Sequence, residues 1–237
     1  MFKLTKFSPA IKYIILLTSI VFLLQTAVRL LTGFPWLEGL GSLILRSEHS
    51  GTAQTVPWWQ VWRLLTYALL HYDFSHLFWN MLGLWLVGSA LETALGSRSL
   101  TIIYIFSIIS GGISALICEA LGLNGAAATS ILMGASAGTM GILFSFIALN
   151  PQSTMYFWLL VLIPIKALYL GIALILWQLG GLILFSASST SYSAHLGGIL
   201  AGYIAALAIK KCWGERLAVC LQNLRKRWQR RHIRVVK

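Results

Sequence analysis

Charged side chains are scarce in this chain. Asp, Glu, Lys and Arg make up 10% of its 237 residues, only 6 of them are acidic, and 58% of the residues are hydrophobic. A water-soluble globule needs far more polar surface than this composition supplies. The scarcity of charge therefore predicts an all-α, polytopic membrane protein.

Cysteine is also scarce. Cys118, Cys212 and Cys220 are too few and too scattered for a disulfide framework or a zinc site, so we expect free thiols. The chain lacks a His-Glu-x-x-His zinc motif and paired aspartates within its apolar runs. These absences argue against the metalloprotease and aspartyl classes of membrane enzyme, and we expect neither a metal nor a cofactor.

Long apolar runs divide the sequence. Runs of about 18 or more nearly uncharged residues can span a bilayer as helices, because a helix satisfies its own backbone hydrogen bonds. Six spans are predicted, at residues 11–32, 71–93, 100–121, 130–149, 167–186 and 192–210. We expect residues 1–210 to form one membrane domain with a long outer loop at about 33–70. Tryptophans suited to the lipid–water boundary occur in that loop, at Trp36, Trp58, Trp59 and Trp62.

The distribution of Lys and Arg predicts the orientation. With both termini inside, the inner side holds Lys3, Lys6, Lys12, Arg98, Lys166 and the basic residues of 210–237, against Arg29, Arg46 and Arg63 outside. The net charge of +12 is then a topology signal rather than a nucleic-acid patch. We expect a bacterial inner membrane with both termini in the cytoplasm, and an organellar membrane stays open.

Residues 211–237 form a basic tail after the last span. Apolar residues recur there at helical spacing, at Trp213, Leu217, Cys220, Leu221, Leu224 and Trp228, and basic residues fill much of the rest. This pattern predicts an amphipathic helix on an anionic inner leaflet. A frayed basic tail is the alternative.

Polar residues within the apolar runs indicate a site. Ser136 alone fits a small packing residue, and His195 alone fits a core histidine. In the predicted topology, however, His76 and Asn80, Ser136 and His195 all follow the outer ends of their helices. Three distant segments thus place costly polar groups in one outer layer, which packing alone does not predict.

These residue types fit amide hydrolysis. A serine nucleophile needs a base within hydrogen-bond reach, which His195 supplies to Ser136. Asn80, His76 and the Ser136 N–H are candidate donors to the oxyanion. Asp73 and Glu92 lie at the two ends of the second span, so no carboxylate is placed to orient the histidine, and a dyad is predicted.

The chain from about Trp58 to Gly202 resembles the rhomboid family of intramembrane serine proteases. Three segments carry the resemblance: the run from Trp62-Arg63 through His71 and His76 to Asn80, then Gly134-Ala-Ser136-Ala-Gly138, then Ala194-His195-Leu-Gly-Gly198-Ile-Leu-Ala-Gly202. The resemblance implies a six-helix bundle with an outward-opening cavity, and it implies transmembrane protein substrates. It implies nucleophile Ser136, base His195 and oxyanion donors Asn80 and His76, with structural roles for Trp62, Arg63, His71, Glu92, Gly134, Gly138, Gly198 and Gly202.

The chain can also be compared with the family pattern at one further position and with two other classes of membrane protein. The chain departs from the family pattern at Met140, where a Phe or Tyr commonly packs against the histidine. A non-catalytic relative would typically lack the serine or the histidine, and both are present. A transporter would place its polar residues near the bilayer midplane on broken helices, whereas these are predicted in the outer third.

Overall fold

The computed structural model describes residues 7–45, 59–123, 131–158, 162–184 and 192–233. Most of these residues lie in helices: α1 (Pro9–Thr32), α2 (Trp36–Gly41), α3 (Arg63–Thr66), α4 (Phe74–Leu95), α5 (Ser97–Ala120), α6 (Ser136–Leu149), α7 (Ala167–Leu184) and α8 (Tyr192–Ile233). Two antiparallel pairs of strands complete the fold: β1 (Leu43–Ile44) with β2 (Ile131–Leu132), and β3 (Thr154–Trp158) with β4 (Leu162–Lys166).

Five helices in the described part of the chain are long and apolar enough to cross a bilayer. They are α1, α4, α5, α7 and the Tyr192–Cys212 part of α8. The prediction of a polytopic helical bundle in a membrane is thus confirmed. The count of six full spans is not, because α6 has 14 residues and a length of only about 21 Å.

The prediction of the fourth span, 130–149, is wrong at its N-terminal end. Residues 131–135 are not helical: Leu132 pairs with Leu43 in the β1–β2 ladder, and α6 starts at Ser136. Non-helical backbone at this depth is tolerated only when protein covers it. Leu132, Gly134 and Ala135 are indeed buried, so the chain reaches the start of α6 inside the bundle.

The predicted outer loop at 33–70 contains structure in its described part, with α2, β1 and α3 inside it. Buried Arg63 donates to the carbonyls of Ser42 at 2.6 Å and Gly39 at 2.7 Å. Trp62 Nε1 donates to the Leu40 carbonyl at 3.1 Å. Both side chains therefore bind the otherwise unpaired carbonyl end of α2, which fixes this segment against α3. Trp58 lies outside the described residues.

Glu92 organises the opposite end of the bundle. Its buried carboxylate accepts from the backbone N–H groups of Ala10 at 2.8 Å and Ile11 at 3.0 Å, and from the hydroxyls of Ser8 and Ser97. A carboxylate at a helix N-terminus satisfies unpaired donors and interacts favourably with the helix dipole. The end of α4 is thus joined to the starts of α1 and α5.

Glycines bring α8 close to α6. A Cβ atom added at Gly198 would lie 2.2 Å from the Ala137 carbonyl oxygen, and one added at Gly202 would lie 2.1 Å from the Gly141 carbonyl oxygen. Ser145 Oγ lies 2.8 Å from the Gly141 oxygen and 2.7 Å from the Gly202 oxygen. Backbone contact at this distance sets the spacing of the two helices that carry Ser136 and His195.

The basic tail continues the last span. The backbone of α8 remains helical to Ile233, and residues 234–237 lie outside the described ones. The helical alternative for the tail therefore fits the backbone better than a frayed one. Its placement on an anionic leaflet stays a prediction.

Candidate active site

Ser136 and His195 meet at one end of the bundle, where α6 and α8 begin. His195 Nε2 lies 2.8 Å from Ser136 Oγ, although 59 residues separate them in sequence. Ser136 is the first residue of α6, and His195 lies in the first turn of α8. The serine is half-buried and the histidine is 8% exposed. The pair has the distance needed for proton transfer from a hydroxyl to an imidazole.

Gly134 shapes the approach to the serine. Its φ of +122° lies in the region that favours glycine, and its N–H donates to the Tyr67 carbonyl at 3.0 Å. An added Cβ would lie 2.6 Å from Cε1 of His76. Any side chain here would both strain the backbone and displace His76. Glycine is therefore required at this position of the motif for steric reasons.

At Gly138, glycine is required by the packing of α6 against α5. A Cβ there would lie 2.5 Å from the ring of Tyr104 on α5. Met140, one turn after Ser136, is partly buried and packs on the cluster formed by Phe144, Ile147, Ala167 and Ile199. The side chain at the position where the family commonly has an aromatic residue therefore contributes to the packing of α6 against its neighbours.

His76 and Asn80 lie on α4 beside this site. The N–H of His76 is capped by the Asp73 carboxylate at 2.8 Å, and its ring stacks on Tyr72 with centroids 5.8 Å apart. Asn80 Nδ2 donates to the His76 carbonyl at 3.0 Å. Within the described residues neither side chain hydrogen-bonds Ser136. The structure thus brings His76 against Gly134, while the oxyanion role of both residues stays a prediction.

Gln178 is a site residue that the sequence analysis missed. Its Oε1 lies 3.0 Å from His195 Nδ1, on the far side of the imidazole from Ser136. The side chain is 3% exposed and comes from α7. A lone amide within an 18-residue apolar run was a signal that could have identified it, because such groups are costly in hydrocarbon without a partner.

No metal site is found in the part of the chain that the structure describes. Nowhere in these residues do three His, Cys, Asp or Glu side chains lie close enough together to hold an ion. The expectation that no metal takes part stays a prediction.

His71 contacts the backbone immediately before the serine. It is fully buried, and its Nε2 accepts from the N–H of Ala135, the residue before Ser136, at 3.4 Å. Gln25 in turn holds the His71 backbone: its Nε2 donates to the carbonyl at 2.8 Å and its Oε1 accepts from the N–H at 3.2 Å. Burial, aided by nearby His76, lowers the pKa of His71 to about 4 from its usual 6.5.

This pKa shift predicts a pH dependence of stability. Between about pH 6.5 and 4 the unfolded chain protonates His71 while the folded chain does not, so the folded state loses stability as the pH falls through this window. We expect the melting temperature of His71→Gln to fall less steeply than that of the wild type between pH 7 and 4.5. All other titrating groups are common to both proteins, and equal slopes would contradict the assignment.

Comparison with known proteins gives the family. A Rhomboid domain model matches residues 58–212. Rhomboid protease GluP of Bacillus subtilis (strain 168) is 32% identical over 148 residues, covering 62% of this chain and 26% of that protein. Rhomboid protein 1, mitochondrial, of Saccharomyces cerevisiae (strain ATCC 204508 / S288c) is 33% identical over 156 residues, covering 63% and 43%.

A further relative matches over a shorter segment. Rhomboid protease GlpG of Enterobacter sp. (strain 638) is 41% identical over 54 residues, which cover 23% of this chain and 20% of that protein. The chain thus spans less than half the length of each of these relatives. The domain match covers most of this chain and includes all three segments that meet at Ser136, and it follows that the chain belongs to the rhomboid family.

Proposed function

We propose that this protein is an intramembrane serine endopeptidase that cleaves transmembrane proteins in or near the outer end of a spanning segment, using a Ser136–His195 dyad. The observation that carries the proposal is the 2.8 Å contact between Ser136 Oγ and His195 Nε2. The relatives named as rhomboid proteases support the same class of reaction. The family assignment alone would not suffice, because activity depends on the site rather than on the fold.

The reaction follows from the geometry. Ser136 Oγ attacks the scissile carbonyl carbon while His195 Nε2 takes its proton, and a tetrahedral oxyanion forms. His195 then donates that proton to the leaving amine, and water hydrolyses the acyl-serine in a second, equivalent round. Ser136 is the first residue of α6, so its N–H points from a helix N-terminus, where partial positive charge stabilises an anion. We assign His76 and Asn80 as further oxyanion donors.

The shortness of α6 favours membrane segments as substrates. A hydrocarbon layer is about 30 Å thick, and α6 is only about 21 Å long. With the C-terminal end of α6 at one surface of this layer, Ser136 at its N-terminal end lies inside the layer rather than at the other surface. A helical substrate hides its carbonyls in its own hydrogen bonds, so the cleaved residues must be extended. Glycine or proline near the cut weakens a helix by roughly 1 to 3 kcal/mol, and we expect such segments to be selected.

A fluorophosphonate probe tests the proposal in detergent. The wild type should become covalently labelled at Ser136, and it should cut a reporter whose spanning segment has glycine or proline near its outer end. Ser136→Ala should show neither reaction. Labelling of Ser136→Ala at the wild-type rate would show that another residue is the nucleophile.

We further propose that both termini face the cytoplasm of a bacterium, with the basic tail next to an anionic inner leaflet. The Lys and Arg asymmetry supports this orientation. A variant whose only cysteine is the exposed Cys212 provides the test. A membrane-impermeant maleimide should label it in inverted vesicles and leave it unlabelled in intact cells, and the reverse pattern would overturn the orientation.

A further inference from the structure

Gln178 lies on the buried face of α7. The buried residues of this helix are Ala167, Gly171, Gln178 and Gly181, and their spacing of 4, 7 and 3 places them on one side. Three of the four are small and apolar, and only Gln178 is polar. Its Oε1 lies 3.0 Å from His195 Nδ1, and the side chain is 3% exposed. A buried amide in hydrogen-bond contact with an imidazole influences which ring nitrogen carries the proton.

The amide oxygen selects one form of His195. In the structure the amide turns its oxygen towards Nδ1, and because a carbonyl oxygen can only accept, this orientation pairs with a proton on Nδ1. In the neutral imidazole this leaves Nε2 with a free lone pair. Nε2 is the atom that faces Ser136 Oγ at 2.8 Å. The other tautomer would present an N–H to the serine and could not accept its proton.

We propose that Gln178 is a positioning residue that holds His195 in the tautomer and orientation needed for a general base. The inference rests on the proposed function for its catalytic meaning. In many serine hydrolases a buried carboxylate performs this task, and here a neutral amide stands in its place. An amide satisfies the Nδ1–H without placing a further ionised group in hydrocarbon, where charge is costly.

The competing interpretation is that Gln178 only holds α7 against α8. An interhelical hydrogen bond from glutamine can do that in a membrane. The two roles differ in what they predict for variants of similar size. If Gln178 only joins the two helices, its variants should change stability alone. If it positions His195, its variants should also change the protonation pattern of the imidazole and the pH profile of the reaction.

Kinetics provide the first test. Gln178→Met keeps the length of the side chain and removes the acceptor. We expect kcat to fall on the order of 100-fold, with KM nearly unchanged. This loss is smaller than the roughly 10,000-fold loss in a serine protease whose orienting Asp becomes Asn. Gln178→Glu restores an acceptor and stabilises the imidazolium. It should retain most of the activity, with the acidic limb of the kcat profile moved to higher pH. Leu176→Met, at a lipid-facing position that is 63% exposed on the same helix, is the control and should match the wild type.

Nitrogen NMR of histidine-labelled protein provides a test that is independent of turnover. The His195 signals are identified by their loss in His195→Ala. In the wild type Nδ1 should be protonated and Nε2 unprotonated, and in Gln178→Met a substantial population should show the opposite pattern. An unchanged tautomer and an unchanged pH profile in Gln178→Met would overturn the inference.

The remaining outcomes are also decisive. If Gln178→Met does not fold, Gln178→Glu still decides the matter, because an acidic limb that fails to move would contradict the contact. If Ser136→Ala keeps its activity, the proposed protease mechanism fails. The NMR result would then still report whether Gln178 sets the tautomer of His195.

Discussion

Ser136→Ala, His195→Ala and the double variant should all lose the same amount of activity. Each partner is useless without the other, so losses in a coupled pair do not add, and in a comparable serine protease the loss is on the order of a million-fold in kcat. We expect cleavage of a membrane reporter to fall to background in all three proteins. The 2.8 Å contact is the structural basis of this expectation.

Folding and oxyanion variants serve as controls for this comparison. Ser136→Ala should keep the melting temperature of the wild type within a few degrees, because it removes a single hydroxyl. His195→Ala and the double variant leave buried Gln178 without its imidazole partner and should melt lower, so their folded state is checked by the same measurement. Asn80→Ala should be milder, with a loss of roughly 100- to 1,000-fold, as for removal of one oxyanion donor. If the double variant were much slower than either single variant, Ser136 and His195 would be acting separately, and unchanged turnover in Asn80→Ala would remove that residue from the oxyanion role.

Much of the bundle could be predicted from the sequence because its solvent is mainly lipid. An apolar run such as Pro9–Thr32 has one stable structure in hydrocarbon, a helix that satisfies its own backbone. The pairing of Ser136 with His195 could be predicted because two costly polar groups at one depth have few reasons to be there. These inferences need composition and spacing, and they do not need the packing of side chains.

The start of α6 could not be predicted for the same reason. Hydropathy does not distinguish Ile131 and Leu132 in a strand from the same residues in a helix, since both residues are apolar in either conformation. Only the tertiary partners, Leu43 across the ladder and the Tyr67 carbonyl, decide the conformation. The role of Gln178 could not be predicted from the sequence, because it depends on a contact with Nδ1 of His195, 17 residues later.

The contact between α6 and α8 leads to a prediction on stability. Gly202→Ala would place a Cβ 2.1 Å from the Gly141 carbonyl oxygen, and the obstacle is helix backbone that cannot rotate away. The helices must separate, which costs about 2 kcal/mol or more, and the Ser145 hydroxyl can no longer stay close to both carbonyls. We expect the melting temperature to fall by about 5 °C or more.

Gly180→Ala is the matched control for this prediction. Gly180 lies within α7, and no atom would come within 4 Å of an added Cβ. The same substitution should therefore leave stability unchanged or raise it by up to about 1 kcal/mol, since alanine favours helix over glycine. Gly202 lies two turns after His195, so Gly202→Ala should also move Nε2 from Ser136, and a displacement of about 1 Å can cost on the order of 100-fold in rate. Equal melting temperatures and equal kcat values in the two variants would show that Gly202 does not set the spacing between the serine and the histidine.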